Sequence, residues 1–180
     1  MNGAIMTTKK IFTHHYMTPA GEVILGSIDG RLCLCDWMTE KRRDRIDRRI
    51  RKAFDADMTE GESDVTRKAI EELEEYFAHK RTAFDIPLMF AGTEFQKYVW
   101  KTLLEIPFGT TMSYGEMARR MGCPSAVRAV ANANGANAIS IFVPCHRIIG
   151  SNHTLGGYGG GIEAKRILLQ IEHDQMLPLR

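Results

Sequence analysis

The run from Ile139 to Gly150, Ile-Ser-Ile-Phe-Val-Pro-Cys-His-Arg-Ile-Ile-Gly, holds the side chain with the most chemical potential in the chain. Cys145 ends a β-branched apolar stretch that predicts a strand, and it sits between Pro144 and the His146-Arg147 pair. A free thiol has a pKa of about 8.5, and neighbouring positive charge lowers it and raises the thiolate fraction. Cys145 therefore reads as a nucleophile. The competing reading is a buried small hydrophobe, the usual state of an intracellular cysteine. In an extended strand adjacent side chains point to opposite faces, so the His146 imidazole would turn away from the thiol. A bridging water then fits better than a direct Cys–His dyad. A thiol hydrolase fits poorly, because no oxyanion element is visible.

The front of the chain predicts strands over Lys10–Tyr16, Glu22–Ser27 and Arg31–Trp37. Pro19-Ala20-Gly21 and Asp29-Gly30 separate them, the latter a strong hairpin signal. Alternation would put Cys33 and Cys35 on one face of the third strand and Leu32 and Leu34 on the other. Residues 41–54 carry eight Lys or Arg and two Asp. A nucleic-acid patch competes there with a solvated amphipathic helix. Ile46, Ile50, Ala53 and Phe54 as an apolar stripe, with Asp44/Arg48 and Asp47/Arg51 as i,i+4 pairs, favour the helix. Gly61 to Asp64 predicts a loop, Val65–His79 a helix, and Phe84–Leu88 a returning strand, with a domain boundary at Met89–Gly92. Beyond it, Thr93-Glu94-Phe95-Gln96 and Ser113-Tyr114-Gly115-Glu116 are capping boxes that open helices. The first carries Phe95, Val99 and Leu103 at helical spacing. Gly122-Cys123-Pro124 predicts a turn, and Ser125 the cap of a further helix to Asn134. Two short helices around a glycine-bearing turn are the outline of a helix-turn-helix, which plain helical cores also contain.

A chain of 180 residues accommodates one full domain or two small ones. The net charge of +2 creates no global basic field, so a nucleic-acid surface would have to be local. Cys33, Cys35, Cys123 and Cys145 form no CxxC pair, which fits free thiols in a reducing cytosol. No zinc quartet has recognisable spacing, and no stretch has the length of a membrane span or the core of a signal peptide. A cytoplasmic protein without metal is expected.

Ser113 to Glu116, the run Ala126 to Asn137, Val143 to Gly150 and Gly156-Gly157-Tyr158-Gly159-Gly160-Gly161 together closely resemble the O6-alkylguanine-DNA alkyltransferases. The resemblance is continuous from about Thr93 to His173. The front third shares only a general outline, through Thr18-Pro19-Ala20-Gly21. It implies a ribonuclease-H-like α/β domain over residues 1–91 and a mostly α-helical winged helix-turn-helix domain over 92–180. It implies direct-reversal DNA repair: irreversible transfer of an alkyl group from O6 of guanine, and from O4 of thymine, to the Cys145 thiolate, once per protein and without a cofactor. By the same resemblance Glu172 supports the His146 imidazole, and Asn137 is a hinge tying the helix pair to the active-site strand. An asparagine closing a helix in the left-handed conformation would also explain Asn137. The resemblance further implies that Tyr114, Asn134, Ser140, Tyr158 and Gly159 surround the base, that Arg128 fills the stack left by the extruded nucleotide, and that Tyr114 crowds its phosphate. The resemblance implies that this helix enters the minor groove of double-stranded alkylated DNA, which suits its small residues Ala126, Ala129 and Ala133. A monomer is expected. The glycine run around Tyr158 departs from GxGxxG and reads as a flexible wall that lets backbone approach a guanine edge. Asn134 and Ser140 stand where some family members carry bulkier residues, and the zinc cysteines of some members are missing. No regulatory domain is expected before residue 1. The presence of Cys145 sets the chain apart from relatives that bind lesions without repairing them.

Overall fold

The computed structural model describes residues 8–176. Strands β1 (Lys9–Thr18), β2 (Gly21–Ile28) and β3 (Arg31–Trp37) form the predicted antiparallel meander. The second hairpin turns through Asp29 and Gly30, at φ 50° and 71°, the left-handed pair that matches strand twist. Helix α1 (Arg43–Phe54) then crosses to β4 (Ala56–Glu60), which pairs parallel to β1 and completes the order β3-β2-β1-β4. Strand β4 was not anticipated. Of Ala56-Asp57-Met58-Thr59-Glu60 only Ala56 is buried, so its apolar signal is too weak to read.

Two corrections follow from β3 and α1. Gly26 pairs with Leu34 and Ser27 with Leu32, so Cys33 is an additional residue in β3. This bulge inverts the side-chain alternation. Cys35 packs with Leu32 and Trp37 in the larger core, whereas Cys33 packs with Leu34, Ile46 and Ile50 on the opposite side. The two cysteines therefore do not share a face. In α1, Ile46 and Ile50 are buried as expected, but Ala53 is exposed. The expected i,i+4 pairs also rearrange: Asp47 takes Arg43, Arg51 takes Asp57, and Arg48 donates to the Asp44 carbonyl.

The open edge of β3 anchors the second half of the chain. Leu32 N–H donates to Pro87 O (2.8 Å) and the Leu32 carbonyl accepts from Met89 N–H (2.9 Å). Further along, Cys35 N–H donates to Ala138 O (2.9 Å) and its carbonyl accepts from Ser140 N–H (2.6 Å). Unpaired edge groups are thereby satisfied by two irregular segments. The expected strand at Phe84–Leu88 amounts to a single bridge between Leu88 and Leu32.

Helix α2 (Asp64–Phe77) starts from a capping box in which Ser63 and Thr66 bond reciprocally. Helix α3 (Glu94–Leu103) opens on the predicted Thr93/Gln96 box; Val99 and Leu103 are buried, but Phe95 faces out and Trp100 takes the core position. After β5 (Met112–Ser113), α4 (Tyr114–Arg120) opens on the Ser113/Glu116 box, and α5 (Val127–Gly135) follows the Gly122 turn. Ser125 does not cap α5: its N-cap is Ala126, without a side-chain bond. A 3-10 turn (Cys145–Arg147), β6 (Ile148–Ile149, parallel to β5) and α6 (Gly161–Met176) complete the chain. One buried core joins Leu25 and Cys35 of the sheet, Leu73 of α2, Trp100 of α3 and Leu168 of α6.

Arg49 ties α1 to the end of α5, donating to the Ala136 carbonyl at 2.7 Å with its guanidinium over the Trp100 ring. Arg49→Ala should lower unfolding stability by about 2 kcal/mol, because a charge-assisted bond is lost. Arg48→Ala, exposed on the same helix, should stay within about 0.5 kcal/mol. Denaturant midpoints of the two variants check this.

Candidate active site

Ile139 to Val143 is not the extended strand its composition predicts. Ile139 pairs with Cys35 and Ser140 with Val143, and Ile141 turns the chain at φ 73°. A β-branched residue in that region is strained by about 1–3 kcal/mol and persists only where its surroundings fix it. Here Ile141 is buried and the bonds Val143 N–H to Ile139 O and Phe142 N–H to Ser140 O close around it. The turn delivers Pro144 and then Cys145 at the start of a 3-10 turn, so Cys145 and His146 are not on an extended strand either.

Asn137 braces this loop. Its Nδ2 donates to Val143 O (3.0 Å) and to Cys145 Sγ (3.1 Å), while Oδ1 accepts from Ile139 N–H (3.0 Å). Asn137 is not left-handed; in this loop that conformation belongs to Ile141. Burial pushes the Cys145 thiol above its ordinary value, against the Asn137 bond, the Lys165 charge and a Ser140 bond, which lower it. The positive charge expected from His146 and Arg147 does not reach the thiol, because both side chains are committed elsewhere. Lys165 is the cation that does. It is fully buried on α6 and donates to the Ile148 carbonyl at 2.6 Å.

Glu172 is where His146 and Arg147 converge. Its Oε1 accepts from His146 Nε2 (2.6 Å), Tyr76 Oη (2.9 Å) and Arg147 Nη2 (3.1 Å). Its Oε2 accepts from Arg147 Nε (2.9 Å) and Gly109 N–H (3.1 Å). Burial pushes this carboxyl up, but the bonds and charge of its partners outweigh it and hold it at about 2. Burial lowers the His146 pKa against the raising effect of Glu172, which favours the neutral imidazole. A neutral ring that donates from Nε2 keeps a lone pair on Nδ1, which is buried with no protein partner among the described residues.

On its other side the thiol faces a cavity of about 630 Å³, within the size range of small-ligand sites. Tyr114, Asn134, Ser140, Tyr158 and Gly159, the residues the resemblance puts around a base, all line it, together with Asn137. Burial raises the Tyr114 hydroxyl's pKa, so it stays a proton donor. The front half contributes wall residues that sequence reasoning missed, including Asp36 and Glu40. The glycine run does more than flex: a Cβ at Gly160 would stand 2.6 Å from the Trp37 ring, and one at Gly159 would stand 2.6 Å from Glu40 Oε2. Tyr158 meets Trp37 edge-on at 5.8 Å. Arg128 is exposed on α5 and, with Ala126 and Ala129, lies outside this cavity. Tyr76 and Lys165 were also missed, since a tyrosine or lysine on an amphipathic helix carries no local sign of burial. Among the described residues no cluster of three or more His, Cys, Asp or Glu could hold a metal ion.

Residues 94–174 match the family model described as the DNA-binding domain of 6-O-methylguanine DNA methyltransferase. A methylated-DNA–protein-cysteine methyltransferase of Methanosarcina acetivorans is 40% identical over 157 residues, 87% of this chain and 95% of that protein. The chain belongs to this family. The methyltransferase of Mycobacterium tuberculosis is 56% identical over 104 residues, a match that spans 58% of this chain and 63% of the relative's length. In solved form, the Mycobacterium tuberculosis OGT in complex with DNA superposes with a TM-score of 0.78 at 39% identity, covering 92% of this chain and 94% of the other. The methyltransferase of Pyrococcus kodakaraensis follows at a TM-score of 0.68 and 26% identity, covering 90% and 98%. The methyltransferase fold is thus α/β, a mixed sheet with helices, and both halves of this chain share it.

Glu172→Gln would leave the buried Arg147 guanidinium without its counter-charge, and should cost about 3–5 kcal/mol of unfolding stability. For the wild type, the ionised Glu172 contributes stability that is fully present above the unfolded carboxyl value of about 4.3. That contribution is lost as pH falls towards about 2. The expected outcome is a fall in the urea midpoint over this window, shallower in Glu172→Gln; parallel curves would contradict it.

Proposed function

We propose that the chain repairs alkylated DNA by accepting the alkyl group on Cys145. The observation that carries the reading is the thiol's position. Its Sγ sits at the wall of a cavity with room for a base, held by Asn137, with the His146 ring and its Glu172 partner behind it. Attack on a methyl carbon needs a soft nucleophile in line with the leaving oxygen and no oxyanion hole. The S–C bond forms as the C–O6 bond of guanine breaks, and the base leaves with the electron pair. The thiol proton passes through a bridging water to His146 Nδ1, while Glu172 stabilises the charge the ring acquires. The departing guanine takes a proton, for which the Tyr114 hydroxyl is the donor lining the cavity. The thioether is stable, so each protein acts once. O4-alkylthymine would react in the same way.

The target base reaches the thiol only if it leaves the stack, at a cost of a few kcal/mol. The exposed Arg128 on α5 supports a role in filling the gap, and the small Ala126 and Ala129 beside it support close approach in the minor groove of duplex DNA. In this reading residues 1–91 are a ribonuclease-H-like domain and 92–180 a winged helix-turn-helix domain, the protein acts as a monomer inside the cell, and Tyr114, Asn134, Ser140, Tyr158 and Gly159 hold the extruded base. The strand content of the first half and the α4–α5 pair of the second support this division. No described helix is long and apolar enough to cross a membrane.

The protein mixed with duplex DNA carrying one O6-methylguanine should gain one methyl on Cys145, at most one equivalent, in peptide mass maps. Turnover, or no modification, would contradict alkyl acceptance; binding without modification would leave a lesion-recognition module. Arg128→Ala should slow repair of duplex far more than reaction with the free alkylguanine base. Equal slowing would refute the stacking role.

A further inference from the structure

The basic residues of 41–54 are not equivalent in the fold. Arg43 is committed to Asp36 and Asp47, Arg49 to the Ala136 carbonyl, Arg51 to Asp57 and Arg48 to the Asp44 carbonyl. Arg42 and Arg45 are exposed, and among the described residues neither has a carboxylate within ion-pair distance. These two face a groove of about 710 Å³ between α1 and α5, whose far wall includes Ala129, Asn132 and Gly135. Arg42 also reaches the rim of the Cys145 cavity, beside Lys41. A Cβ at Gly135 would stand 3.8 Å from Arg42 Nη1, so the guanidinium lies against the last turn of α5.

The separation along α5 is informative. Arg128 precedes Gly135 by seven residues, and a helical rise of 1.5 Å per residue makes this roughly 10 Å. At 3.4 Å per base step on one strand, that span is about three nucleotides. A duplex seated on α5 with Arg128 in its stack therefore brings backbone phosphates towards the two unpaired guanidinia. A planar guanidinium with free N–H donors suits a phosphate.

We infer that Arg42 and Arg45 form a phosphate-contacting surface for the DNA strand flanking the extruded nucleotide, so that the sheet half of the protein grips the same duplex as α5. This rests on the DNA-repair reading above. Phosphate contacts fix position without reading sequence, as a protein that meets lesions in any context requires. The basic stretch is thus divided: four of its eight basic residues are tied into the fold, and two at one end face DNA.

Salt dependence of binding tests this directly. Fluorescence anisotropy with an undamaged duplex gives log K against log salt for wild type, Arg42→Gln/Arg45→Gln, Arg42→Lys/Arg45→Lys, and Arg48→Gln as a control. Each lost phosphate contact lowers the slope by about 0.9, so the double Gln variant should lose about 1.8. Its affinity deficit should shrink about 12-fold between 50 and 200 mM salt, by the same relation. The Lys variant and Arg48→Gln should keep the wild-type slope. Should the double Gln variant not fold, as read by its thermal melt, each single Gln variant should lose about 0.9. A wild-type slope in the Gln variants, or the same loss in Arg48→Gln, would overturn the inference. Methyl capture by the wild type in the same preparation separates the two claims. No capture with a reduced variant slope removes the repair reading alone; capture with coincident slopes removes this surface alone.

Discussion

Five hydrogen bonds meet on the buried Glu172 carboxylate, from Tyr76, Gly109, His146 and two nitrogens of Arg147. An isolated carboxylate in that position would cost many kcal/mol, so each partner is needed for the charge to persist. The partners come from α2, the loop after α3, and the turn that carries the thiol. One side chain of α6 therefore fixes how three separate parts of the chain approach one another. Arg147 satisfies the charge, which frees His146 to remain neutral. A protonated imidazole would pair with Glu172 as well, but it could not accept a proton from the thiol.

The thiol's own position comes from the other side of the molecule. The edge of β3 takes up Ala138 and Ser140, and the bulge at Cys33 turns Cys35 and Trp37 towards the helical half. Ile141 is then bent through a left-handed turn that its neighbours hold in place. Between these two anchors the thiol has little freedom, and its pKa is raised rather than lowered. Reactivity in such a site does not come from a standing thiolate. It requires a base that removes the proton when a substrate is in line, at the cost of needing that base correctly oriented.

Local rules carried far in this chain and failed for definite reasons. The meander and both capping boxes of the second half were legible because each is a short-range signal. Glu172 and Asn137 came from family resemblance, since neither helix position nor residue type marks a buried polar hub. Strand β4 was hidden by its polar composition, and the Cys33 bulge by the absence of any local cue for an additional residue. The β-branched run at Ile139–Val143 suggested a strand, but tertiary bonding to β3 bent it. The charge of 41–54 was legible as a helix face. Which of its arginines are committed depends on Asp36, Asp57 and Ala136, none of which the helix pattern reveals.

Glu172 orients His146 as a neutral ring with its proton on Nε2 and its lone pair on Nδ1. Nitrogen-15 NMR of the histidine-labelled protein at pH 7, with His146→Gln used for assignment, reads this state from the two ring-nitrogen shifts. The account predicts one protonated nitrogen, Nε2, and an unprotonated Nδ1. A doubly protonated ring, or a proton on Nδ1 with Nε2 bare, would contradict it.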